Sequence, residues 1–489
     1  MTDVFIIGGG PAGAAAARLL ASWGWSVLVA HRASRSQSSL AESLPASTRK
    51  LLAHVGMLDA VEATGFHPNF GNFSHWAGTR HTTDTGVPGF HVVRSEFDPV
   101  LRGAATAAGA RFVDAVVRRV DQDARRRVEY VTADGKIQAV HVRYVLDCSG
   151  RAGVVARRGW RRPEAAYRTT AVAAEWESGT WPANEQAHTI VESYGDGWAW
   201  SVPVSATQRQ FTVMIDRRIA ARAVLSEIYA SELRKTTELT ARLKQARQTS
   251  RPWACDASLY DCTRAADTGI LLVGDAASFI EPLSSAGVRK ALASGWRAAV
   301  VVNTCLSKAE MTAAALDYFS EREREVYAEC RRRSAAFFQD AAAAHGDRFW
   351  STRADGLATT GAGETAPDAT SDEMLASDAG VRAAFDSLRS AACIRLRPAA
   401  AVRVEPVATI EGREIVMRDA LVFPGLRRPV RFAAGVDLPA LVGLTEHSHD
   451  IPALITNYRT HVGSIPVDRL LTGVSLLVAR HALVNDVAG

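Results

Sequence analysis

The chain has 489 residues, of which 47% are hydrophobic, and a formal net charge of +5. At about 100–200 residues per domain, this length predicts two or three domains with a large apolar core. No apolar run reaches the ~18 residues of a membrane-spanning helix, and the N-terminal segment lacks the pattern of a secretion signal. Six cysteines without Cys-x-x-Cys pairs or nearby histidines predict neither a metal site nor disulfides, and favour a cytoplasmic setting.

The arginines are concentrated in three runs, at 125–127, 157–162 and 331–333. Such runs usually lie on a solvated surface, and docking of an acidic protein partner is the alternative. No nucleic-acid-binding motif accompanies them, so we do not expect a nucleic-acid partner.

The N-terminal residues predict a strand, a glycine-rich turn and a helix. Val4 to Ile7 is a short apolar, partly β-branched run, as in a buried strand. Gly8, Gly10 and Gly13 follow with the spacing Gly-x-Gly-x-x-Gly, which allows a tight turn, close backbone approach to a ligand and close helix–strand packing. The helix that opens with Ala14 to Ala17 would direct unpaired N–H groups at a pyrophosphate.

Trp25 to Ala30 is the second strand of this unit, and the residue that follows it differs from the dinucleotide-binding pattern. The acidic residue that normally bonds the ribose is replaced by His31, and Arg32 follows. A neutral imidazole can still bond a ribose hydroxyl. The alternative interpretation is a glycine turn in an ordinary parallel sheet.

A second strand–turn–helix pattern lies far along the chain. The apolar run Ile270 to Val273 precedes the segment from Gly274 to Val288, and a helical pattern extends from Arg289 to Val302. Two such units, widely separated in sequence, predict that one long dinucleotide is held at both ends.

Up to about residue 330, strands alternate with helices, which is typical of a mixed α/β fold. Residues 165–215 alternate between polar and apolar, as antiparallel strands do. We predict a dinucleotide-binding domain at 1–165 and 255–350, a substrate-domain sheet at 60–100 and 166–254, a linker or long loop at 351–377, and a winged-helix-like α+β region at 378–489. In this last region, helical patterns at 437–444, 450–461 and 466–480 predict three successive helices. A structural pedestal without chemistry is the simplest interpretation of the region.

Further motifs resemble one family. Ala41-Glu42-Ser43-Leu44-Pro45 is similar to a Gly-Glu-Ser-Leu-Pro segment beside the flavin. Residues 91–98 resemble a segment whose arginine, here Arg94, contacts FAD, and residues 147–150 resemble an Asp-Ala-Thr-Gly turn. Together with the two turns, these segments resemble the FAD-dependent monooxygenases and the flavin-dependent tryptophan halogenases. The resemblance covers roughly residues 1–350 and implies an α/β fold with an FAD-binding, Rossmann-like domain of the glutathione-reductase type.

The resemblance implies FAD as cofactor and molecular oxygen as co-substrate, and leaves NADH, NADPH or a separate flavin reductase as the electron donor. Asp275 would accept hydrogen bonds from the ribityl chain, and 282–288 would place backbone N–H groups near the flavin pyrimidine, where a helix N-terminus favours negative charge. Asp275 would also be suited to capping the following helix. The implied cofactor-binding residues are Gly8, Gly10, Ala12, Gly13, His31, Arg32, Glu42, Ser43, Arg94, Asp275, Pro282, Ser285, Gly287 and Val288.

The segment Trp198-Ala199-Trp200-Ser201-Val202-Pro203 is close to the Trp-x-Trp-x-Ile-Pro signature of the halogenases. Those enzymes also require a lysine near the substrate, but no lysine occurs between Lys50 and Lys136. Because this lysine is missing, the resemblance implies hydroxylation through a flavin C4a-hydroperoxide instead of halogenation. Trp198 and Trp200 are then expected in the substrate pocket, or as packing that walls off the flavin.

The combination of motifs is most similar to the flavoproteins that mature tryptophylquinone cofactors, such as those serving quinohemoprotein amine dehydrogenase. This resemblance implies hydroxylation, and probable dihydroxylation, of a tryptophan within a partner polypeptide, together with a radical maturation enzyme. A small-molecule aromatic monooxygenase or halogenase of secondary metabolism is the alternative. A non-enzymatic flavoprotein, or a reductase of unsaturated lipids, is the third possibility.

An indole is itself nucleophilic, so a general base is needed only to restore aromaticity. His91 and Glu281 are the candidate catalytic residues, because both titrate and both adjoin flavin motifs. A hydrogen-bonded structural role for His91, and a turn-capping role for Glu281, are the alternatives.

Overall fold

A computed structural model of the chain describes residues 2–32, 39–121, 126–165, 167–220, 224–358, 372–390, 394–424 and 428–485. The chain divides into two compact units, Met1–Gly363 and Glu364–Gly489. Residues 359–371 of the predicted linker, and Arg125 of the first arginine run, lie outside the described residues.

The first unit contains two large sheets and the helices that cover them. Its strands are β1 Val4–Ile7, β2 Val27–His31, β3 Ala41–Leu44, β4 His67–Trp76, β5 Thr79–Val93, β6 Arg111–Val120, β7 Arg127–Thr132, β8 Ile137–His141, β9 Tyr144–Asp147, β10 Arg161–Pro163, β11 Thr169–Glu177, β12 His188–Tyr194, β13 Gly197–Pro203, β14 Gln208–Asp216, β15 Arg247–Gln248, β16 Trp253–Asp256, β17 Tyr260–Cys262, β18 Ala266–Asp267 and β19 Ile270–Leu272. Its helices are α1 Pro11–Ser22, α2 Ser47–His54, α3 Leu58–Glu62, α4 Arg94–Ala107, α5 Arg217–Ala220, α6 Leu225–Arg234, α7 Glu238–Leu243, α8 Gly287–Ser307, α9 Thr312–His345 and α10 Arg348–Ala358.

The first sheet has eight strands in the order β18-β19-β9-β1-β2-β6-β7-β8. Its centre is parallel, since β1 pairs in parallel with β2 and β9, and β9 pairs in parallel with β19. Every residue of β1 and β9 is buried, as expected for central parallel strands covered on both faces. The carboxyl ends of β1, β9 and β19 therefore meet at one edge, where ligands bind in open α/β sheets.

The second sheet has nine strands in the order β15-β11-β14-β13-β12-β4-β5-β3, with β16 also paired to β11. It is antiparallel except for the pairing of β4 with β12. Strand β3 joins the edge through β5, which places the predicted flavin segment around Glu42 in this sheet.

Within the predicted linker, the prediction of a loop is wrong for the residues described. Helix α10 continues to Ala358, and a further helix, α11, spans Asp372–Ser377. Phe349, Trp350 and Ala354 of α10 are buried in an aromatic core of the first unit. Burial of this apolar face stabilises a helix that local composition does not favour.

The second unit is built from α11, α12 Ala379–Ser390, β20 Leu396–Pro398, β21 Arg403–Glu411, β22 Glu414–Val422, β23 Phe432–Ala433, β24 Val436–Asp437, α13 Leu438–Thr445, α14 Ile451–His461, α15 Val467–Ala479 and β25 Leu483–Asn485. Its three last helices lie where the sequence predicted them, and a separate cluster of buried apolar side chains forms its core. Asp437 and Asp450 cap α13 and α14, because their carboxylates accept from the backbone N–H groups of Ala440 and Ala453. The winged-helix-like character of this region stays a prediction.

In the part of the chain that the structure describes, no helix is both long enough and apolar enough to cross a membrane.

Candidate active site

A cavity of about 900 Å³ opens at the carboxyl edge of the first sheet and extends to the second. Both glycine-containing turns, strand β3, the start of α4 and the two tryptophans of β13 line it. Of the predicted site residues, the structure brings sixteen to its wall: Gly8, Gly10, Ala12, His31, Arg32, Glu42, Ser43, Arg94, Trp198, Trp200, Asp275, Glu281, Pro282, Ser285, Gly287 and Val288. Gly13 and His91 do not line it.

The three glycines of the first turn have different roles. Gly8 has a φ of +103°, and a Cβ there would overlap the carbonyl group of Cys148 in the neighbouring strand end. A Cβ on Gly13 would overlap the carbonyl oxygen of Gly8, so Gly13 allows α1 to pack on β1. Gly10 is the N-cap of α1 and faces the cavity, and the nearest atom to its added Cβ is 3.5 Å away, on Arg94. Of the three, only Gly10 leaves room that a ligand would fill.

Basic groups surround the end of β2. His31 and Arg32 line the cavity beside Arg102, whose Nη1 donates to the carbonyl oxygen of Gly9 at 3.3 Å. Burial lowers the pKa of His31, and the positive charge of Arg102 lowers it further. At neutral pH the imidazole is therefore uncharged and suited to a neutral hydroxyl group, as predicted for a ribose.

Arg94 begins α4 and is held by acidic neighbours. Its Nε and Nη2 donate to the two carboxylate oxygens of Asp98 at 2.7 and 2.9 Å, and Glu42 lies 3.5 Å from its Nη1. Burial raises the pKa of Glu42, and the Arg94 charge opposes this rise. Ser43 accepts a hydrogen bond from Asn69 at 2.9 Å. The segment around Glu42 is thus fixed beside the guanidinium of Arg94.

The second turn is fixed by a buried lysine. Lys290 of α8 is 5% exposed, and its Nζ donates to the carbonyl oxygens of Gly274, at 3.0 Å, and Ser278. Its distance to the Asp275 carboxylate is 3.5 Å, and the Tyr260 hydroxyl donates to the Asp275 carbonyl oxygen at 2.7 Å. The helix that follows, α8, has Ala286 at its N-cap and no side-chain cap, so Asp275 does not cap it. Asp275 lines the cavity.

The chain after this turn leads into the N-terminus of α8. A 3₁₀ turn at Pro282–Ser284 is followed by Ser285 in the left-handed conformation, with φ +46°, and α8 begins at Gly287. These residues line the cavity. Because the first N–H groups of a helix lack intrahelical partners and carry partial positive charge, this end of the cavity favours an anion.

Glu281 immediately precedes that turn and is 3% exposed. Its Oε1 is buried with no hydrogen-bond partner among the described residues. Burial raises the pKa of Glu281 to about 7, while the Arg353 charge and the Trp198 indole oppose the rise. A carboxyl group in this state can accept or release a proton near neutral pH.

The structure places His91 inside the second sheet. It is 1% exposed, its Nδ1 donates to the carbonyl oxygen of Pro68 at 2.9 Å, and its Nε2 accepts from the Thr189 hydroxyl at 3.1 Å. Burial and then the Arg209 charge hold its pKa well below the usual range. These contacts are those expected of a hydrogen-bonded structural histidine. His91 does not line the cavity, so no contact supports its predicted catalytic role.

Sequence reasoning missed several residues of the cavity wall, among them Asp98, Arg102, Arg151, Thr189 and Cys255. Two of them have a local signal. Asp98 ends the segment that contains Arg94, and Arg151 directly follows the turn at 147–150. The others come from separate strands and helices, which only the fold brings to the cavity.

The arginine runs make internal contacts. Arg162 donates to both carboxylate oxygens of Asp261, and Arg161 stacks on the Tyr260 ring with its Cζ 3.9 Å from the ring centroid. Arg332 and Arg333 both pair with Glu329 on α9. Much of their charge is therefore neutralised locally.

A parallel sheet with two turns opening into one cavity, each followed by a helix N-terminus, defines a dinucleotide-binding protein. The chain belongs to the family described as FAD binding domain, whose model matches residues 1–329. FAD is therefore its cofactor, as the motifs predicted.

The protein is similar to the tryptophan 2-halogenase of Chondromyces crocatus, with 30% identity over 339 residues, or 65% of this chain and 64% of the halogenase. The chain thus spans a little under two thirds of that relative. The structure of CmlS, a flavin-dependent halogenase, superposes with a TM-score of 0.79 and 21% identity, covering 99% of this chain and 96% of CmlS. That of QhpG, a peptidyl tryptophan dihydroxylase essential for tryptophylquinone cofactor biogenesis, superposes with a TM-score of 0.70 and 22% identity, covering 98% and 99%. These findings confirm the predicted resemblance to flavin-dependent halogenases and monooxygenases, and the two superpositions establish a shared fold.

Proposed function

We propose that this protein is an FAD-dependent monooxygenase that inserts oxygen into the indole ring of a tryptophan within a partner polypeptide, as a step in tryptophylquinone formation. Insertion of two oxygen atoms, the reaction of the peptidyl tryptophan dihydroxylase QhpG, belongs to the same proposal. The observation that carries it is Glu281, a buried carboxyl with an unpartnered oxygen, in a cavity wall that contains no lysine among the described residues.

In this proposal the cavity would hold FAD, with His31 beside the adenosine end and the start of α8 beside the flavin. The fit rests on three features of the chain. Gly10 leaves open space at the N-terminus of α1, the Asp275 carboxylate is available to hydroxyl groups, and the N-terminus of α8 favours negative charge on a reduced flavin. When bound, FAD supplies the activation of molecular oxygen.

The protein's own groups then position the indole and manage one proton. Trp198 and Trp200 form an aromatic wall, with ring centroids 4.8 Å apart, against which an indole can stack. Oxygen insertion leaves a proton on the ring carbon that was attacked. Glu281 Oε1 accepts this proton and so restores the aromatic ring. Trp198 and Glu281 are buried, so this part of the cavity limits the access of water to the reacting groups.

Halogenation of a small aromatic molecule is the second candidate. It is supported by the Trp198–Pro203 segment and by the similarity to the tryptophan 2-halogenase. A halogenase of the kind that the motif implies also needs an ammonium group near the substrate. The lysine that fixes the second turn, Lys290 of α8, donates to backbone carbonyl groups and does not line the cavity.

The test supplies the FAD-loaded protein with a chemical reductant, air, chloride and bromide, and compares three substrates by mass spectrometry. These are free tryptophan, N-acetyl-tryptophanamide and a tryptophan-containing peptide. We expect the peptide to gain the mass of one or two oxygen atoms without halogen. Halogen incorporation, or turnover of free tryptophan alone, would contradict the proposal.

A separate titration tests the FAD site. Asp275→Ala removes a carboxylate that would accept ribityl hydroxyl groups, and hydrogen bonds to charged groups are worth about 1.5–3 kcal/mol. We expect FAD affinity, measured by flavin fluorescence, to fall by about 10- to 100-fold. Asp267→Ala, in strand β18 and away from the cavity, is the matched control. Unchanged affinity in Asp275→Ala would remove this residue from the site.

A further inference from the structure

Four tryptophans form an unbroken series of ring contacts that begins at the cavity. Trp200 and Trp198 line the cavity and stack with their centroids 4.8 Å apart. Trp198 meets Trp76 edge-on at 6.2 Å, and Trp76 meets Trp350 edge-on at 5.5 Å. His345, which is half-buried, stacks on Trp350 at 6.0 Å. We refer to Trp200, Trp198, Trp76 and Trp350 as the tryptophan series.

We propose that the tryptophan series conducts single electrons between the flavin cavity and the partly exposed end at His345, and so removes oxidising equivalents from the cavity. Indole is among the side chains most easily oxidised by one electron, and electron transfer between rings in van der Waals contact is fast. The inference rests on the proposal that FAD occupies the cavity. It does not depend on which substrate is oxidised.

Each step moves one electron, and water supplies or takes up the protons. When no substrate is bound, superoxide formed from O₂ and the reduced cofactor would take one electron from Trp200 and two protons from water, giving hydrogen peroxide and a Trp200 radical cation. Trp198 then reduces Trp200, Trp76 reduces Trp198, and Trp350 reduces Trp76, so that the electron deficiency moves outward one ring at a time. A small-molecule thiol in solution returns one electron to Trp350 at the His345 end and loses its proton to water, and two of the resulting thiyl radicals combine to a disulfide.

The surroundings of the series suit this role. The indole N–H groups of Trp76 and Trp350 donate to the carbonyl oxygens of Phe337 and Tyr194, each at 2.9 Å. A hydrogen bond from the ring nitrogen to a carbonyl oxygen stabilises positive charge on the indole. Phe338 and Phe349 also contact Trp350, but phenyl rings resist oxidation and therefore do not divert the path.

The test uses a flash of blue light on the protein loaded with oxidised FAD. The excited flavin accepts one electron from Trp200, and transient absorption follows the tryptophan radical. In the unaltered protein we expect a long-lived radical, because the electron deficiency moves away to Trp350. Trp76→Phe preserves an aromatic ring but interrupts the path, so we expect loss of the long-lived radical while the initial flavin quenching remains.

Trp181→Phe is the matched control. Trp181 is 6% exposed against 7% for Trp76, and its indole N–H also donates to a backbone carbonyl, that of Thr207, at 2.9 Å. A long-lived radical in Trp76→Phe, or its loss in Trp181→Phe, would overturn the proposal. Failure of FAD to bind is recognised separately from the flavin absorbance of the loaded protein.

Peptide mapping gives a second measurement that does not require photochemistry. The reduced, FAD-loaded protein is exposed to air without substrate, in the presence of a thiol, and oxidised side chains are located by mass spectrometry. We expect Trp76→Phe to accumulate oxidation at Trp198 and Trp200 beyond the level in the unaltered protein and in Trp181→Phe. Equal oxidation in all three proteins would overturn the proposal even if Trp76→Phe were less stable.

Discussion

Glu281 illustrates how a single buried residue acquires a chemical property from its surroundings. Its carboxyl is enclosed at the start of the segment that leads into α8, and burial raises its pKa from 4.5 to about 7. If it accepts a proton only as the carboxylate, the rate of substrate oxidation rises with pH through about 7. We expect Glu281→Gln to remove this rise and to lower the rate by about 100-fold or more, the usual contribution of a general base.

The raised pKa of Glu281 also predicts that the free energy of unfolding falls with rising pH, whereas the rate of substrate oxidation rises. Because the folded state binds the Glu281 proton more tightly than the unfolded state, its contribution to the free energy of unfolding is present below about pH 4.5 and is lost as the pH rises to about 7. Denaturant titrations across this range should show a decline that Glu281→Gln lacks. Glu177→Gln, at a partly exposed residue paired with Arg247, is the control. Rate profiles that coincide for the unaltered and Glu281→Gln proteins would contradict the catalytic role.

At the residue scale, the sequence predicted which side chains reach the cavity better than it predicted what they do there. Sixteen of the eighteen candidate residues lie on its wall. Nine of them belong to the two glycine-containing turns and the helix starts after them, and the others to the end of β2, to β3 and β13, and to the start of α4. His91 does not lie on the wall, since strand β5 turns its imidazole into the sheet, toward Pro68 and Thr189. The direction of a side chain from a strand depends on register, which a single segment does not reveal.

At the scale of elements, two glycines of the first turn have different roles: Gly13 allows the helix to pack, and Gly10 leaves room for a ligand. A Cβ at Gly13 would overlap the Gly8 carbonyl oxygen where α1 meets β1, whereas a Cβ at Gly10 would occupy open cavity. We expect Gly13→Ala to lower the free energy of unfolding by about 1–3 kcal/mol, as overpacking does. Gly10→Ala should leave the stability of the FAD-free protein unchanged and weaken FAD binding. Thermal denaturation and flavin titration of both variants check this, and equal stability of the two FAD-free variants would contradict it.

The helices and strands that sequence predicted best are those with a local reason to form. Strand β1 spans the predicted residues 4–7, and α13 to α15 begin within one residue of the predicted starts at 437, 450 and 466. Residues 351–358 of helix α10 were missed because the helix is held by burial of Trp350, which contacts Trp76 far away in the sequence. Local composition carries no information on such partners.

At the scale of the whole molecule, the two units have separate apolar cores, which predicts unfolding in more than one step. A ligand that binds only the folded first unit stabilises that unit by about 2.7 kcal/mol at a concentration of 100 times its Kd. We expect FAD to raise the midpoint of one calorimetric transition. Hydrogen exchange should slow around 274–288 and stay unchanged in α13–α15. A uniform slowing over both units would contradict this expectation.

The sequence by itself determined the two strand–turn–helix units and hence the dinucleotide site, because glycine spacing, apolar runs and helix starts act through neighbouring residues. The tertiary structure alone decided the unpartnered carboxyl oxygen of Glu281, the structural position of His91 and the contacts of Trp76 with Trp198 and Trp350. Each of these depends on elements that are far apart in the chain. Burial, and with it the pKa of a carboxyl or the reach of an aromatic series, is a property of the packed fold.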